Sequence, residues 1–459
     1  MQPLTLQFIA ESCSGQLRRG SSSASIHRVC TDSRQVQAGD LFVPLQGERF
    51  DGHEFLAEIF ERGAESALIS TDNIHKCPTG LSYIEVENVR QAYGKLSGAY
   101  RRRFSIPVIA IAGSNGKTST KELVASALRN SLVTLSSEGS FNNDVGVPAT
   151  LLRLDNSHQV AVVEVGTNHP GELEPLLELI QPRIGILTSV GMEHLEFFDT
   201  IKSVAQEEGM LAEKLPVDGV LVVNGDIPEL GSILARTRAR ILRIGFGPSN
   251  DWRIENVRYN AIGTTFNLVA HELDYEGEYQ INLIGRHQAV NAALAIGVGK
   301  ELGLGRVELR NGLAECRGAK MRLEIKPGPG WTVLNDAYNA NADSMMAALE
   351  TLRDYPCPGR RIAVLGEMAE LGIHSEWAHK EVGRFAANTP IDTLFTIGQK
   401  ALGIGQSARI SGLQDVESID SVEIAGPIIR SRLMDGDVVL VKASRSARLE
   451  RIVHNLISQ

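Results

Sequence analysis

Short apolar runs alternate with longer stretches of helical periodicity along most of the 459-residue chain. In its middle, short apolar runs occupy residues 108–112, 160–165, 184–189 and 220–224, three of them with polar residues at or near the end. Strands that are apolar on both faces and separated by helices predict a parallel sheet covered on both sides. Runs at 264–270 and 278–284 flank Asp274-Tyr-Glu-Gly277 and predict a hairpin added to that sheet.

The same alternation continues on either side of this middle region. Before it, we predict strands at 41–45, 67–69 and 83–86 and a helix at 52–63. After it, we predict strands at 331–335, 361–366, 393–398 and 438–442. The length suggests about three domains. We therefore predict an α/β fold with a small N-terminal α/β domain (1–104), a central, mostly parallel P-loop-type domain (105–316) and a C-terminal Rossmann-like domain (317–459).

One strand-to-helix junction predicts a phosphate site. The run 108–112 ends in Gly113-Ser-Asn-Gly-Lys-Thr-Ser119, which leads into helix-forming sequence. That order surrounds an anion with backbone N–H groups, a lysine and a hydroxyl suited to Mg²⁺, and indicates a nucleoside triphosphate. The loop is shorter than a Walker A motif, because Ile111 stands where that motif has its first glycine. The alternative is a tight turn with a surface lysine. The predicted strand before the loop and the predicted helix after it disfavour that alternative.

Further polar residues follow other strands of the central sheet. Glu164 lies at the end of 160–165, and His194 follows 184–189. Open parallel sheets bind ligands at the carboxyl ends of their strands, and Mg²⁺ prefers carboxylate and phosphate oxygens. Each residue alone would more often be structural or solvated. Together with Lys117 and Thr118 on one sheet, they indicate a nucleotide–metal site.

Two asparagine-containing segments leave alternatives open. Asn142 and Asn143 fit either turn positions or contacts to a polar substrate. His287 and Asn291 are four residues apart and share a helix face, which suits a nucleobase, although polar caps at a helix start are the more frequent alternative. In the last domain, polar residues again gather after strands, in 335–341, 365–372 and 441–445. They predict a second ligand-binding edge.

Composition excludes several classes of protein. Net charge is −9, and no long Lys/Arg run is present, which disfavours nucleic-acid binding. The five cysteines form no CxxC pair or metal spacing, which fits a reducing compartment. No signal-peptide pattern and no apolar run of roughly 20 residues is found. We expect a cytoplasmic protein that is not inserted in a membrane and acts as a monomer.

Taken together, these segments resemble the Mur ligase family, ATP-dependent amide-forming enzymes of peptidoglycan synthesis. The N-terminal run Thr31-Asp-Ser-Arg34, Gly39-Asp-Leu-Phe42 and Phe50-Asp-Gly-His53 is similar to the branch that adds D-alanyl-D-alanine to a UDP-N-acetylmuramoyl-tripeptide. The runs 335–341 and 365–372 are specific to the same branch. The resemblance covers nearly the whole chain and implies ATP and Mg²⁺ as cofactors and these two small molecules as substrates.

The resemblance also assigns roles to individual residues. It implies ATP contacts at Gly113, Ser114, Asn115, Gly116, Lys117, Thr118, Ser119, His287, Asn291, Arg322 and Asp336. It implies metal ligation by Thr118, Glu164, His194 and Glu208, with Lys117, Glu164, His194 and Glu208 as the catalytic set. It implies substrate contacts at Ser33, Arg34, Asn142, Asn143, Tyr338, Asn339 and Asn341.

Three positions depart from the family pattern. The family usually carries a carbamoylated lysine where our alignment places Glu208, and a glutamate presents a carboxylate to Mg²⁺ directly, so we expect no dependence on CO₂. Ala342 and Ala443 stand where the family has proline and glycine. Neither of these two changes removes a reactive group.

Rival functions are a folylpolyglutamate synthase, a nucleotide-switched binding protein and a dehydrogenase. The first is expected to lack a UDP-sugar domain such as residues 1–104, and the last needs a G-x-G-x-x-G turn that the C-terminal domain does not contain. Phosphate release that requires both substrates separates a ligase from a switch.

Overall fold

A computed structural model describes residues 1–47 and 50–458. Up to residue 101 its helices and strands are β1 (Leu4–Thr5), α1 (Leu6–Cys13), β2 (Gln16–Arg19), β3 (Ser25–Ile26), β4 (Arg28–Cys30), β5 (Asp40–Phe42), α2 (Leu56–Glu61), β6 (Ser66–Ser70), β7 (Ser82–Val86) and α3 (Val89–Arg101). The predicted helix at 52–63 is split, because the Asp51 side chain accepts a hydrogen bond from His53 N–H and starts a 3₁₀ turn, Gly52–Phe55, ahead of α2.

The middle of the chain alternates strands and helices as predicted. Its elements are β8 (Val108–Ala112), α4 (Lys117–Arg129), β9 (Thr134–Ser136), α5 (Gly146–Leu151), β10 (Val160–Glu164), α6 (Leu173–Ile180), β11 (Ile184–Leu187), α7 (Leu195–Phe198), α8 (Ile201–Glu208), α9 (Met210–Lys214), β12 (Val220–Asn224), α10 (Leu230–Leu234), β13 (Arg240–Gly245), β14 (Trp252–Tyr259), β15 (Thr264–Ala270), β16 (Gly277–Ile281), α11 (Arg286–Glu301) and α12 (Arg306–Ala314).

The last third of the chain also alternates strands and helices. Its elements are β17 (Glu324–Pro327), β18 (Thr332–Asp336), α13 (Ala342–Asp354), β19 (Arg361–Leu365), α14 (Ser375–Ala387), β20 (Thr393–Ile397), α15 (Leu402–Ile410), β21 (Val416–Ile419), α16 (Val422–Arg432), β22 (Val438–Lys442) and α17 (Glu450–Ile457). The predicted α/β class is confirmed, and every strand predicted after residue 317 is found to within a residue at either end. The predicted strands 41–45, 184–189 and 278–284 end two or three residues too late.

The chain divides into two compact units. The first contains Met1–Ala110, Leu132–Val165 and Glu174–Pro182, and the second contains Ile111–Ser131, Gly166–Leu173 and Arg183–Gln459. The three domain boundaries expected from the sequence stay a prediction.

The first unit holds a five-stranded sheet in the order β2-β7-β6-β5-β4. Its strands are parallel except for β2, which pairs antiparallel with β7. The side chains of Phe42, Leu56, Ile59, Ala67 and Ile69 form part of its core. The unit also contains β9 and β10, which pair in parallel, and Ala161 N–H donates to the carbonyl of Pro107 just before β8.

The second unit holds a sheet in which β11, β12, β13 and β14 are parallel and β15 and β16 continue it as an antiparallel hairpin. The hairpin predicted around residues 274–277 is therefore confirmed. The last two residues of β8 lie beside β11, and Thr188 N–H donates to the carbonyl of Ala112 at 3.1 Å. Strand β8 thus ends next to the end of β11.

The second unit also contains a six-stranded sheet, in the order β17-β18-β22-β19-β20-β21. All of its pairs are parallel except β17–β18. Alternate residues of one strand face two different cores: Leu440 packs in one, and Val439 and Val441 pack in the other. Burial on both faces explains why these strands are continuous apolar runs in the sequence.

Candidate nucleotide-binding site

The loop between β8 and α4 depends on two glycines. Gly113 has a φ of 123°, and Gly116 has a φ of 88°. A Cβ at Gly113 would lie 2.4 Å from Thr188 Oγ1, and a Cβ at Gly116 would lie 2.9 Å from Asn291 Oδ1. Both positions therefore need glycine for the backbone angle and for space. The loop opens at the N-terminus of α4, where backbone N–H groups lack intrahelical partners and suit an anion.

The residues after β11 hold this loop in place. Ser189 accepts hydrogen bonds from Ser114 N–H at its carbonyl (3.0 Å) and from Asn115 N–H at its hydroxyl (2.7 Å). Thr188 Oγ1 donates to the carbonyl of Asn115 at 2.6 Å. The sequence analysis did not name Thr188 and Ser189 as site residues. They are the polar last two residues of the predicted run 184–189, and this position was the available signal.

A group of ionisable side chains lies beside the loop and is called here the acidic cluster. Its members are Lys117, Glu193, His194 and Glu208. Lys117 Nζ donates to the carbonyl of Gly113 at 2.5 Å and lies 3.5 Å from Glu193 Oε2. His194 Nε2 lies 3.9 Å from the same oxygen. Three of its members were predicted, and Glu193 was missed although it directly precedes His194 in sequence.

Glu208 is the least satisfied member of the acidic cluster. It is buried, and neither of its carboxylate oxygens has a hydrogen-bond partner among the described residues. Burial raises the pKa of Glu208 from 4.5 to about 8, opposed by Lys117 and reinforced by Glu193. Both carboxylate oxygens of its neighbour Glu207 are hydrogen-bonded. They accept from Gly171 N–H and Leu173 N–H at the start of α6.

The acidic cluster fits a divalent cation. Within residues 1–47 and 50–458, no three His, Cys, Asp or Glu side chains form a ready-made metal cage. Mg²⁺ does not need one, because it binds through one or two carboxylates and completes its shell with water and substrate phosphates. The unpartnered buried oxygens of Glu208 are the feature of this structure that fits such an ion.

His194 is held by a partner from far along the chain. Its Nδ1 lies 2.5 Å from Oε2 of Glu370, and the close contact with His194 lowers the pKa of that carboxyl. Glu370 belongs to the segment 365–372, which the sequence analysis named as a ligand-binding edge without naming this residue. No local pattern connects two residues that are 176 positions apart.

A cleft of about 240 Å³ lies within the second unit and gathers most of the predicted ATP contacts. Those that line it are Asn115, Gly116, Ser119, His287, Asn291, Arg322 and Asp336. Thr118 is buried at the start of α4. Burial lowers the pKa of His287 to about 4, so the ring is neutral near pH 7. Asn291 Nδ2 donates to Gln288 Oε1 within the cleft wall, which leaves the amide oxygen of Asn291 outside that bond.

The wall opposite α11 is built around Lys442. Its Nζ lies 2.6 Å from Asp336 Oδ2 and donates to the carbonyl of Asn339 at 3.0 Å. The second oxygen of Asp336 accepts from Leu323 N–H. The guanidinium of Arg322 lies over the ring of Tyr338, 4.1 Å from its centroid. The sequence analysis did not name Lys442 as a site residue.

The start of α13 contacts the loop after β8 and the loop after β11. Asn341 Oδ1 caps α13 by accepting from Ser344 N–H, and its Nδ2 donates to Asn115 Oδ1 at 3.1 Å. Asp343 Oδ2 accepts from Met192 N–H at 2.9 Å. Asn341, predicted as a substrate contact, is therefore a helix cap that also touches the phosphate loop.

Five predicted residues lie in the first unit. Glu164 is buried at the end of β10, and its Oε1 accepts from Asn142 Nδ2 at 2.9 Å. Asn143 Oδ1 accepts from Val145 N–H and Gly146 N–H, which is the turn role left open above. Arg34 is exposed and is oriented by two hydrogen bonds to the Asp32 carboxylate.

Ser33 begins a short 3₁₀ turn, Ser33–Gln35, that Asp32 caps. A separate finding concerns membranes: within the described residues, no helix is both long and apolar enough to cross one.

Comparison with known proteins places these features in a family. Residues 25–105 match the Mur ligase family catalytic domain, 111–299 the Mur ligase middle domain, and 321–445 the Mur ligase glutamate ligase domain. A UDP-N-acetylmuramoyl-tripeptide–D-alanyl-D-alanine ligase from Bacillus subtilis is 32% identical over 456 residues, covering 99% of this chain and 98% of the relative.

Solved structures agree with the sequence comparison. MurF from Acinetobacter baumannii superimposes with a TM-score of 0.91 at 28% identity and 100% coverage of both chains. MurF ligase from Thermotoga maritima, in complex with ADP, superimposes with a TM-score of 0.83 at 26% identity, covering 94% of this chain and 97% of that one.

Proposed function

We propose that this chain, an enzyme that belongs to the Mur ligase family, joins D-alanyl-D-alanine to the terminal carboxylate of a UDP-N-acetylmuramoyl-tripeptide. The family is ATP-dependent, and ATP is converted to ADP and phosphate in the reaction. The observation that carries the proposal is the cleft that brings the phosphate loop, His287, Asn291 and Asp336 together. The full-length match to ligases of this specificity supports the choice of substrates.

We expect one orientation of ATP in the cleft. The phosphates lie against the loop after β8 and the N-terminus of α4, where Lys117 stabilises their negative charge. The neutral ring of His287 and the amide of Asn291 face the adenine, as the family resemblance implies. Arg322 and Asp336 line the same cleft, and the family resemblance implies that they contact the nucleotide.

Glu208 and His194 hold Mg²⁺ in this proposal. The ion, when bound, adds positive charge beside the phosphate oxygens. Because Glu208 already presents a carboxylate, the enzyme needs no carbamoylated lysine and no CO₂. Metal ligation by Thr118 and Glu164 stays a prediction, as do the substrate contacts of Ser33, Arg34, Asn142, Asn143, Tyr338, Asn339 and Asn341.

The chemistry has two steps. The tripeptide carboxylate attacks the γ-phosphorus of ATP, a new P–O bond forms, and ADP leaves with the electron pair of the broken bond. The neutral amine of D-alanyl-D-alanine then attacks the acyl carbon, a C–N bond forms, phosphate leaves, and the amine loses its proton to solvent. An α-amino group has a pKa of about 8, so a fraction of the dipeptide is neutral near pH 7.

Mass spectrometry of the products tests this function. The protein is incubated with ATP, Mg²⁺, D-alanyl-D-alanine and a UDP-N-acetylmuramoyl-tripeptide ending in either diaminopimelate or lysine. We expect a UDP-pentapeptide from one of them and phosphate release that requires both substrates, with Lys117→Ala as the inactive control. Phosphate release without the dipeptide, and without a new amide, would contradict the proposal and favour a nucleotide switch.

Two further properties belong to the same proposal. We expect the enzyme to act as a monomer, which sedimentation velocity checks. We also expect it in the cytoplasm, where nucleotide-linked precursors are made.

A further inference from the structure

The side chain of Asn341 makes hydrogen bonds on two sides at the start of α13. Its Oδ1 accepts from Ser344 N–H at 2.8 Å, and its Nδ2 donates to Asn115 Oδ1 at 3.1 Å. A backbone N–H can only donate, so the bond from Ser344 fixes which end of the Asn341 amide is the oxygen. The NH₂ end of Asn341 is therefore the one that faces Asn115 in the phosphate loop.

This contact in turn fixes the amide of Asn115. Because Asn341 Nδ2 is a donor, the atom of Asn115 that meets it is the amide oxygen. The Asn115 backbone is held from both sides, since its N–H donates to Ser189 Oγ at 2.7 Å and its carbonyl accepts from Thr188 Oγ1 at 2.6 Å. The NH₂ group of Asn115 remains, and it has no acceptor among residues 1–47 and 50–458.

That NH₂ group belongs to a residue that lines the proposed ATP cleft. Asn115 borders the cleft together with Gly116 and Ser119, at the N-terminus of α4. The ionised oxygens of a triphosphate accept hydrogen bonds, and an amide NH₂ supplies two donors to them. The opposite orientation of the amide would present oxygen lone pairs to the phosphates. The orientation fixed by Asn341 is thus the one that suits ATP.

The start of α13 is also held by a second contact. Asp343 Oδ2 accepts from Met192 N–H at 2.9 Å, in the loop after β11. A Cβ at Gly191 would lie 2.3 Å from the same oxygen, so this close approach needs a glycine. Because Asp343 keeps α13 on that loop, the bond from Asn341 to Asn115 is not required to hold the helix in place. Its specific effect is on the orientation of Asn115.

We propose that Asn341 is a positioning residue for the phosphate loop, which turns the amide oxygen of Asn115 towards α13 and leaves the NH₂ group for the phosphates of ATP. Asn115 belongs to the region matched by the middle domain, and Asn341 belongs to the region matched by the glutamate ligase domain. The phosphate loop then reaches its full affinity for nucleotide only while the start of α13 is seated on it. This inference rests on the proposed binding of ATP in the cleft.

Nucleotide binding in a double-mutant cycle tests this role. Isothermal titration calorimetry with Mg²⁺ and a non-hydrolysable ATP analogue measures the dissociation constant. Asn341→Ser keeps an oxygen that caps α13 but is too short to reach Asn115, and Asn115→Ala removes the amide that Asn341 orients. Asn88→Ser is the matched control, because Asn88 caps α3 in the same way by accepting from Gln91 N–H at 3.0 Å.

We expect Asn341→Ser to raise the dissociation constant about 3- to 10-fold, the range for one lost hydrogen bond, with little change in the unfolding temperature. Asn115→Ala raises the dissociation constant by at least the same factor. The double variant binds no more weakly than Asn115→Ala alone, because Asn341 acts through Asn115. Asn88→Ser binds the nucleotide as the wild type does.

An unchanged dissociation constant in Asn341→Ser, or losses that multiply in the double variant, overturns the inference and leaves the proposed function standing. A wild-type protein that binds no nucleotide contradicts the proposed function, and the inference falls with it.

Discussion

Two lysines at strand ends of the second unit have opposite surroundings. Lys442, at the end of β22, is buried with one carboxylate at 2.6 Å and one carbonyl at 3.0 Å, and its partner Asp336 has a further backbone donor. Lys117, after β8, lies near two glutamates, of which Glu208 has no hydrogen-bond partner among the described residues. Lys442 and Asp336 form a hydrogen-bonded ion pair in the wall of the cleft. The group around Lys117 includes carboxylate oxygens without hydrogen-bond partners in the described part of the chain and therefore suits a charged ligand.

Removing Lys117 should have the largest effect on turnover. We expect Lys117→Ala to lower the rate of UDP-pentapeptide formation by about 10³-fold or more, because a charge that stabilises the transferring phosphoryl group is lost. The fold should survive, since the nearby carboxyls can take up protons. Product formation and circular dichroism of the same preparation measure both. A folded variant with substantial activity would remove Lys117 from the mechanism.

Removing Lys442 should instead affect stability. Lys442→Met leaves the carboxylate of Asp336 buried without its cation, and we expect a loss of about 3–5 kcal/mol in the free energy of unfolding. Denaturant unfolding measures the loss. The double variant with Asp336→Asn should recover part of it. If Lys442→Met were as stable as the wild type, the contrast between the two lysines would fail.

Glu207 and Glu208, adjacent in the chain, test whether the group around Lys117 binds a cation. We expect Glu208→Ala to raise the Mg²⁺ concentration needed for half-maximal activity by roughly 10- to 100-fold, because a cation ligand is lost. Glu207→Gln is the matched control. It weakens the cap of α6 and should cost about 1 kcal/mol of stability without a change in Mg²⁺ requirement. Equal Mg²⁺ requirements in the two variants would show that Glu208 does not bind the ion.

The pH dependence of stability tests the ionisation of Glu208 and does not involve turnover. The folded pKa of Glu208 is raised to about 8, so folding favours the protonated carboxyl. Its contribution to stability is fully present below pH 4.5 and is lost as pH rises through about 8.

Glu208→Gln carries no such proton. Its free energy of unfolding, relative to the wild type, should therefore grow between pH 5 and 8 by at most about 1.4 kcal/mol per pH unit. Thermal unfolding at several pH values, without Mg²⁺ or nucleotide, measures this difference. A difference that stays constant over this range would show that Glu208 does not titrate there.

Much of the fold could be predicted because its signals are local. Strands β8, β12 and β22 coincide with the predicted runs, since burial on both faces makes a strand apolar throughout. The helix predicted at 52–63 was only partly right, because the Asp51 cap imposes a 3₁₀ turn that periodicity does not reveal. Asn143, open between two roles, is found to cap a turn.

The site was harder to predict because several of its contacts join distant segments. The loop 113–119 could be predicted from its motif. Spacing left His287 and Asn291 open between a nucleobase contact and helix caps, and the structure shows only that both line the cleft. Glu370 and Asp343 could not be predicted, because only packing of the last sheet brings them to His194 and Met192. Glu193 stood beside a named residue, but a single glutamate in a loop carries no periodic or motif signal.

The sequence by itself determined the chemistry available: a glycine-rich phosphate loop, a lysine, a set of carboxylates and an imidazole, each at a strand or helix end. The tertiary structure decided which of them act together. Glu207 and Glu208 are identical in type and adjacent in the chain, but consecutive residues of an α-helix point about 100° apart. One therefore caps α6, and the other enters the acidic cluster, a distinction that only the packing of α8 creates.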